Sequence, residues 1–216
     1  MPRTTAVIFD LDGTLIDSVA DIAAACNQAL AEFGLPEHGL DAYRYFIGEG
    51  VEKLVALAMA PQPFDAAVLA AHKRNYEQQL IGQTQPFPGI VVALQQLAQA
   101  GLPMAVLSNK PHAPTQQLVQ HFFGDVPFQV VAGARPEFPR KPEPAAALHI
   151  CAQLGVLPQD CAFVGDTVVD VATARNAGMC AIGVAWGSRP EEAAQADVVV
   201  TDVAALVAVL LGLSDP

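Results

Sequence analysis

The apolar residues of this chain fall in short continuous runs, each ending in polar residues. Thr5–Leu11 is the first, followed by Met104–Leu107, Phe128–Ala132, Ala162–Val164, Cys180–Val184 and Asp197–Val200. Runs that are continuous rather than alternating predict strands buried on both faces of a parallel sheet. Between them, Gly89–Ala100, Pro111–Phe122, Pro144–Leu154 and Val168–Ala177 carry helical spacing. Strand and helix in alternation predict an α/β fold with a doubly wound, parallel, Rossmann-like sheet.

One region breaks the alternation. From Ser18 to about Ile81 the chain shows Ala- and Leu-rich helical patterns and no convincing strand. Ser18 or Asp17 is placed to cap the first helix, and Gly34-Leu35-Pro36 to stop it. Pro86 and Pro88 mark a return linker. We read an α/β core made of residues 1–16 and 86–216, with residues 17–85 inserted as an all-helical cap domain. Its hinges fall near Ile16–Asp17 and Gln83–Pro88. The alternative is a set of helices packed directly on the sheet.

Composition narrows the partners. With 216 residues, 52% of them hydrophobic, the chain can bury a large core. Its most apolar late stretch, Val203–Leu213, is far below the roughly 20 residues that span a bilayer. Asp10 and Asp12 interrupt the only apolar N-terminal run, unlike a secretory signal. Cys26, Cys151, Cys161 and Cys180 are scattered with no CxxC, which suits small buried residues in a reducing, cytoplasmic compartment. A formal charge of −11 argues against nucleic acid and anionic membranes as partners. It leaves room for a small phosphorylated metabolite, because a metal and a few local cations can reverse the potential of one pocket. The histidines (His38, His72, His112, His121, His149) lack ligand spacing and are read as surface or loop residues. The expected assembly is a monomer or homodimer.

The candidate chemistry lies where apolar runs end. The first closes on Asp10 and Asp12, which an extended strand would point to the same side. Such crowding calls for a divalent cation or a division of labour between acid and base; Asp, Gly and Thr also simply favour turns. Two later runs end in Ser108-Asn109-Lys110 and Gly165-Asp166, and ligands bind outside the carboxyl ends of parallel strands. Each residue has a job in phosphoryl transfer. One carboxylate can attack phosphorus, and the second can protonate the leaving oxygen. Asp166, with Asp170, suits an oxygen site for Mg²⁺. Ser108 and Lys141 can hold the phosphoryl oxygens, and Gly13 and Thr14 allow a turn close to the phosphate. Taken singly, each has an ordinary explanation: Ser108 as a cap for a helix near Pro111, Asp166 as an N-cap, Asp170 as an exposed acid or a partner for Lys141, and Lys141 as a solvated lysine.

These residues also carry a family resemblance. Asp10-Leu11-Asp12-Gly13-Thr14-Leu15, Ser108-Asn109, Lys141-Pro142 and Gly165-Asp166-Thr167-x-x-Asp170 resemble, in order, the four motifs of haloacid dehalogenase superfamily phosphatases. The resemblance implies that Asp10 is the nucleophile and Asp12 the general acid/base, with Ser108 and Lys141 on the phosphoryl group. It implies Mg²⁺ between Asp10, the main-chain carbonyl of Asp12, and Asp166, supported by Asp170. Asp12 favours phosphate esters over carbon–halogen bonds, since the dehalogenase branch lacks that acid. Asp17–Ile22, Asn109-Lys110-Pro111, Arg140–Pro144 and Val164–Gly178 are similar to phosphoglycolate phosphatases, although Ala20 stands where that subgroup often has Pro. Asn109 and Lys110 are therefore expected at the phosphate or substrate. Relatives that cleave amino-sugar phosphates, sugar phosphates or pyrophosphate, and sugar phosphomutases, share the motifs. A non-catalytic binder of phosphorylated ligands is the remaining alternative. Specificity is expected in the cap, where the loop Phe46–Val51 could approach the core. Arg44 could meet a substrate carboxylate or simply face solvent.

Overall fold

The computed structural model describes residues 4–213. Strand β1 (Ala6–Phe9) leads through a turn to β2 (Ile16–Asp17). Four helices follow: α1 (Val19–Glu32), α2 (Leu40–Phe46), α3 (Val51–Met59) and α4 (Ala66–Gln78). The chain returns through β3 (Gln85–Pro86) and α5 (Ile90–Gln99). It then alternates: β4 (Met104–Pro111), α6 (His112–Phe123), β5 (Phe128–Ala134), α7 (Ala145–Leu154), β6 (Cys161–Gly165), α8 (Val168–Ala177) and β7 (Cys180–Val184). The single turn α9 (Pro190–Ala193), β8 (Val198–Val200) and α10 (Val203–Leu210) complete it.

Six strands form one sheet in the order β5-β4-β1-β6-β7-β8, and every pairing in it is parallel. The continuous apolar runs have the cause expected. Alternate residues of each strand enter two separate clusters, Val7, Phe9, Val106 and Val164 on one face and Ile8, Ala105, Leu107 and Phe163 on the other. Both faces are covered, so neither register position can be polar. The order also places a topological switch between β1 and β6, where the chain stops adding strands on one side and starts on the other.

The two-residue strands β2 and β3 pair antiparallel, Ile16 with Pro86 and Asp17 with Gln85. They flank the four-helix segment at both its ends. They are too short to show a period in the sequence, and only the pairing reveals them. Asp21 on α1 ties the return segment down, accepting from the backbone of Gln83 (2.8 Å) and Thr84 (2.7 Å) and from the Thr84 hydroxyl (2.7 Å). Apolar residues of the helices, such as Ile22, Leu30 and Leu54, belong to the same buried cluster as Leu11, Leu15 and the β1 residue Phe9. Among the described residues no helix is long and apolar enough to cross a membrane.

Two local expectations are corrected. Ser18 occupies the N-cap position of α1, yet its side chain caps nothing, because its hydroxyl is committed to Asp12 at 2.5 Å. Strand β4 runs on through Lys110 to Pro111 rather than ending with the Met104–Leu107 run. Past an irregularity between Leu107 and Pro111, β4 pairs with β5 again at Pro111–Ala134.

Candidate active site

Asp10 follows β1, Ser108 lies within β4 just past Leu107, where the regular pairing with β5 breaks, and Asp166 follows β6. The parallel sheet therefore brings three segments together at one edge, beside the switch point. Asp10, Asp166 and Asp170 each offer a ligand atom, all within 4.8 Å of one another, and all three residues are buried. Gly13 makes this packing possible. Its φ of +83° is a left-handed conformation, and a Cβ there would clash with Oδ2 of the Asp166 carboxylate.

The Asp10–Asp12 pair is not resolved by shared strand geometry, since β1 ends at Phe9 and both acids lie in the turn beyond it. Instead each carboxylate has its own buried lysine. Lys141 sits 2.8 Å from Asp10 Oδ1 and 2.7 Å from Asp170 Oδ1. Lys110 sits 3.1 Å from Asp12 Oδ1. Asp10 Oδ1 also accepts the Leu11 N–H at 2.7 Å, while Oδ2 takes no hydrogen bond from the described residues. Burial pushes the Asp10 carboxyl up to about 7; Lys141 pulls the other way, and Asp170 and Asp12 add repulsion. Burial raises Asp166 as well, with Asp170 and Asp10 repelling it further. Burial alone would lower the two lysines, but their carboxylate partners more than offset it and hold both above their ordinary range.

Asp166 is not an N-cap. Thr167 takes that position on α8, with Asp170 closing a capping box. Asp170 is thus fully engaged: Oδ1 receives Lys141, and Oδ2 receives the Thr167 N–H (3.1 Å) and hydroxyl (2.8 Å). It is the partner for Lys141 and not an exposed acid. Asp166 Oδ2 accepts the Ser188 N–H at 2.9 Å, and the Thr14 hydroxyl lies 3.5 Å from Oδ1. Ser108 caps no helix; its Oγ accepts the Lys110 N–H at 3.2 Å.

A cavity of about 270 Å³ opens over these groups, with Asp10, Asp12, Ser108, Asn109 and Lys110 on its core side. The opposite wall comes from the helical segment and is mostly apolar, with Ile22, Ile47, Val51 and Leu54. Three contacts tie that wall to the sheet edge. Asn109 Nδ2 donates to the Gly48 carbonyl (2.9 Å), Arg189 donates to the Ile47 carbonyl (2.9 Å), and Arg140 pairs with Glu52. The expected approach of the Phe46–Val51 loop is therefore seen. Arg44 lies elsewhere: its side chain is about half exposed, outside the cavity lining, and pairs with Asp41 at 3.7 Å.

Sequence reasoning missed His72, Tyr76 and Arg189. His72 is no surface residue: it is buried, lines the cavity and stacks on Tyr76 with ring centroids 6.0 Å apart. Burial, with Lys110 and Lys73 nearby, lowers it to about 4, so it is neutral. The signal was present in α4, where Val68, Ala71, His72, Asn75 and Tyr76 make one buried stripe at helical spacing. Arg189, alone in a loop, had no such signal.

The chain matches the family model described as haloacid dehalogenase-like hydrolase over residues 7–184. It is 35% identical to a phosphoglycolate phosphatase of Pseudomonas putida, across 100% of this chain and 81% of that protein. It is 36% identical to one from Xanthomonas campestris pv. campestris, across 85% and 84%. A crystal structure of a predicted phosphoglycolate phosphatase from Haemophilus somnus superposes with a TM-score of 0.89 at 27% identity, covering 97% of this chain and 99% of that one. With a family match spanning both sides of the site and phosphatases among its relatives, the chain belongs to the haloacid dehalogenase-like hydrolases and is a phosphatase of that family.

Proposed function

We propose that this phosphatase hydrolyses small phosphomonoesters, 2-phosphoglycolate foremost, through an aspartyl-phosphate on Asp10. The observation that carries the reading is the separate pairing of two adjacent acids: Lys141 with Asp10, Lys110 with Asp12. Each acid is fixed by one oxygen and keeps the other for chemistry. Asp10 Oδ2 attacks phosphorus and the ester P–O bond breaks, with Asp12 giving its proton to the departing oxygen. A water then attacks the phosphoryl group, Asp12 takes its proton, and the bond to Asp10 breaks to release inorganic phosphate. Ser108 and Lys141 orient the phosphoryl oxygens.

The residues fit Mg²⁺. The donors are all oxygens, and burial together with the neighbouring Asp170 holds Asp10 and Asp166 above the ordinary carboxylate range, a cost that a hard divalent ion would relieve. Asp10, Asp166 and the Asp12 main-chain carbonyl would hold it. Asp170, already occupied by Lys141 and Thr167, would support that shell from behind. When bound, the ion supplies neutralisation of phosphoryl charge.

Residues 17–85 act in this reading as a cap that excludes water and reads the organic part of the substrate. The relatives named phosphoglycolate phosphatase, at about a third identity, support the substrate. The test is a panel of several dozen phosphorylated metabolites with the parent and Asp10→Asn, in Mg²⁺. The parent is expected to favour 2-phosphoglycolate and the variant to release no phosphate. An Asp10→Asn variant as fast as the parent would defeat the mechanism, and a sugar phosphate turned over far faster would replace the substrate.

A further inference from the structure

Asp12 is held from the helical segment as well as from the core. Lys110 Nζ, 3.1 Å from Asp12 Oδ1, also donates to the phenol oxygen of Tyr76 at 2.8 Å. Tyr76 comes from α4, Lys110 from β4 and Asp12 from the turn after β1, so three distant segments meet in one chain of contacts. Lys110 and Tyr76 are both buried. Ser18 adds a second hydrogen bond, again to Oδ1. Both anchors thus grip the same oxygen, and Oδ2 takes no hydrogen bond from the described residues.

We infer that Tyr76 is a positioning residue for the proton-transfer step: it fixes the Lys110 ammonium, which fixes the Asp12 carboxylate with Oδ2 free to carry the proton. The inference rests on Asp12 being the general acid. An ammonium has three N–H donors on a flexible stem. With one held by the phenol, fewer orientations remain in which Lys110 can leave Oδ1 or slide to Oδ2. The stacking of Tyr76 on neutral His72 fixes the ring without a second positive charge beside Lys110. Because Tyr76 belongs to α4, the acid is fully placed only while α4 is seated against the sheet edge. A substrate that fills the cavity would then find attack and proton transfer assembled together.

A structural role would slow every substrate alike, whereas a positioning role depends on the leaving group. A p-nitrophenolate departs without a proton, but an alkoxide needs one. The experiment measures kcat/KM, which reports the first phosphoryl transfer, for p-nitrophenyl phosphate and for 2-phosphoglycolate. It uses the parent, Tyr76→Phe, Lys110→Met and Asp12→Asn in saturating Mg²⁺. Tyr76→Phe keeps the ring and its stacking, and circular dichroism checks each fold. The ratio of 2-phosphoglycolate to p-nitrophenyl phosphate is expected to fall by about tenfold in Tyr76→Phe, the size of a hydrogen bond to a charged group. It should fall further in Lys110→Met and by about 10²–10⁴-fold in Asp12→Asn. An unchanged ratio in Tyr76→Phe beside a collapsed ratio in Asp12→Asn overturns the inference and leaves the mechanism intact. An unchanged ratio in Asp12→Asn overturns the acid assignment, and the inference falls with it.

Discussion

Replacing Asp10 with Asn should make the metal-free protein progressively more stable than the parent as pH rises. In the parent, burial among other carboxylates raises Asp10 from 3.8, its value in the unfolded chain, to about 7. Between those values the folded state holds a proton that the unfolded state has lost. Stability therefore declines as pH rises through the interval and levels off above about 7. Asparagine removes the titration and eases the repulsion on Asp166. Between pH 5 and 8.5, about two pH units fall below the folded pKa, each worth about 1.4 kcal/mol. The unfolding free energy of the variant, relative to the parent, should grow by roughly 3 kcal/mol across that window. Urea unfolding in EDTA reads this directly. Trp186, the single tryptophan, donates its indole N–H to the Thr14 carbonyl at 3.1 Å, so its fluorescence reports on the site. A difference between variant and parent that stays flat with pH would refute the argument that burial raises Asp10.

Other outcomes follow from the same geometry. Mg²⁺ at 100 times its Kd should stabilise the parent at pH 8 by about 2.7 kcal/mol, seen as a shift in Tm; Asp166→Asn should abolish most of it. Gly13→Ala should lower kcat/KM by about 10²-fold, since its Cβ displaces the Asp166 carboxylate and the backbone is left-handed. Asp21→Ala should cost about 3 kcal/mol in chemical denaturation by orphaning the Gln83 and Thr84 donors. Arg44→Ala should leave kcat/KM for 2-phosphoglycolate within about twofold, as an exposed pair is worth little.

Much of the molecule was legible in the chain because its signals are local. Runs such as Ala162–Val164 are apolar throughout since both faces of β6 are covered, and the four motifs keep their residue types close together. What local pattern could not carry was pairing across distance. Nothing in the spacing of Asp10-Leu11-Asp12 says that Lys141 takes the first acid and Lys110 the second. That assignment follows from sheet order, which sets β4 beside β1 and the Asp166 turn on the other side. The strand ribbon at Ile16–Asp17 and Gln85–Pro86 was invisible for a related reason: two residues show no period, and pairing alone defines them. His72 and Tyr76 did lie on a readable helical stripe, but a stripe says only that a residue is buried, not what it faces. The sequence by itself determined the α/β class, the helical stretch after the first strand and the candidate acids, because hydrophobic periodicity and residue chemistry are properties of neighbours in the chain. The tertiary structure decided which charge answers which, because burial makes ionic partners obligatory and only the packed fold brings them within reach.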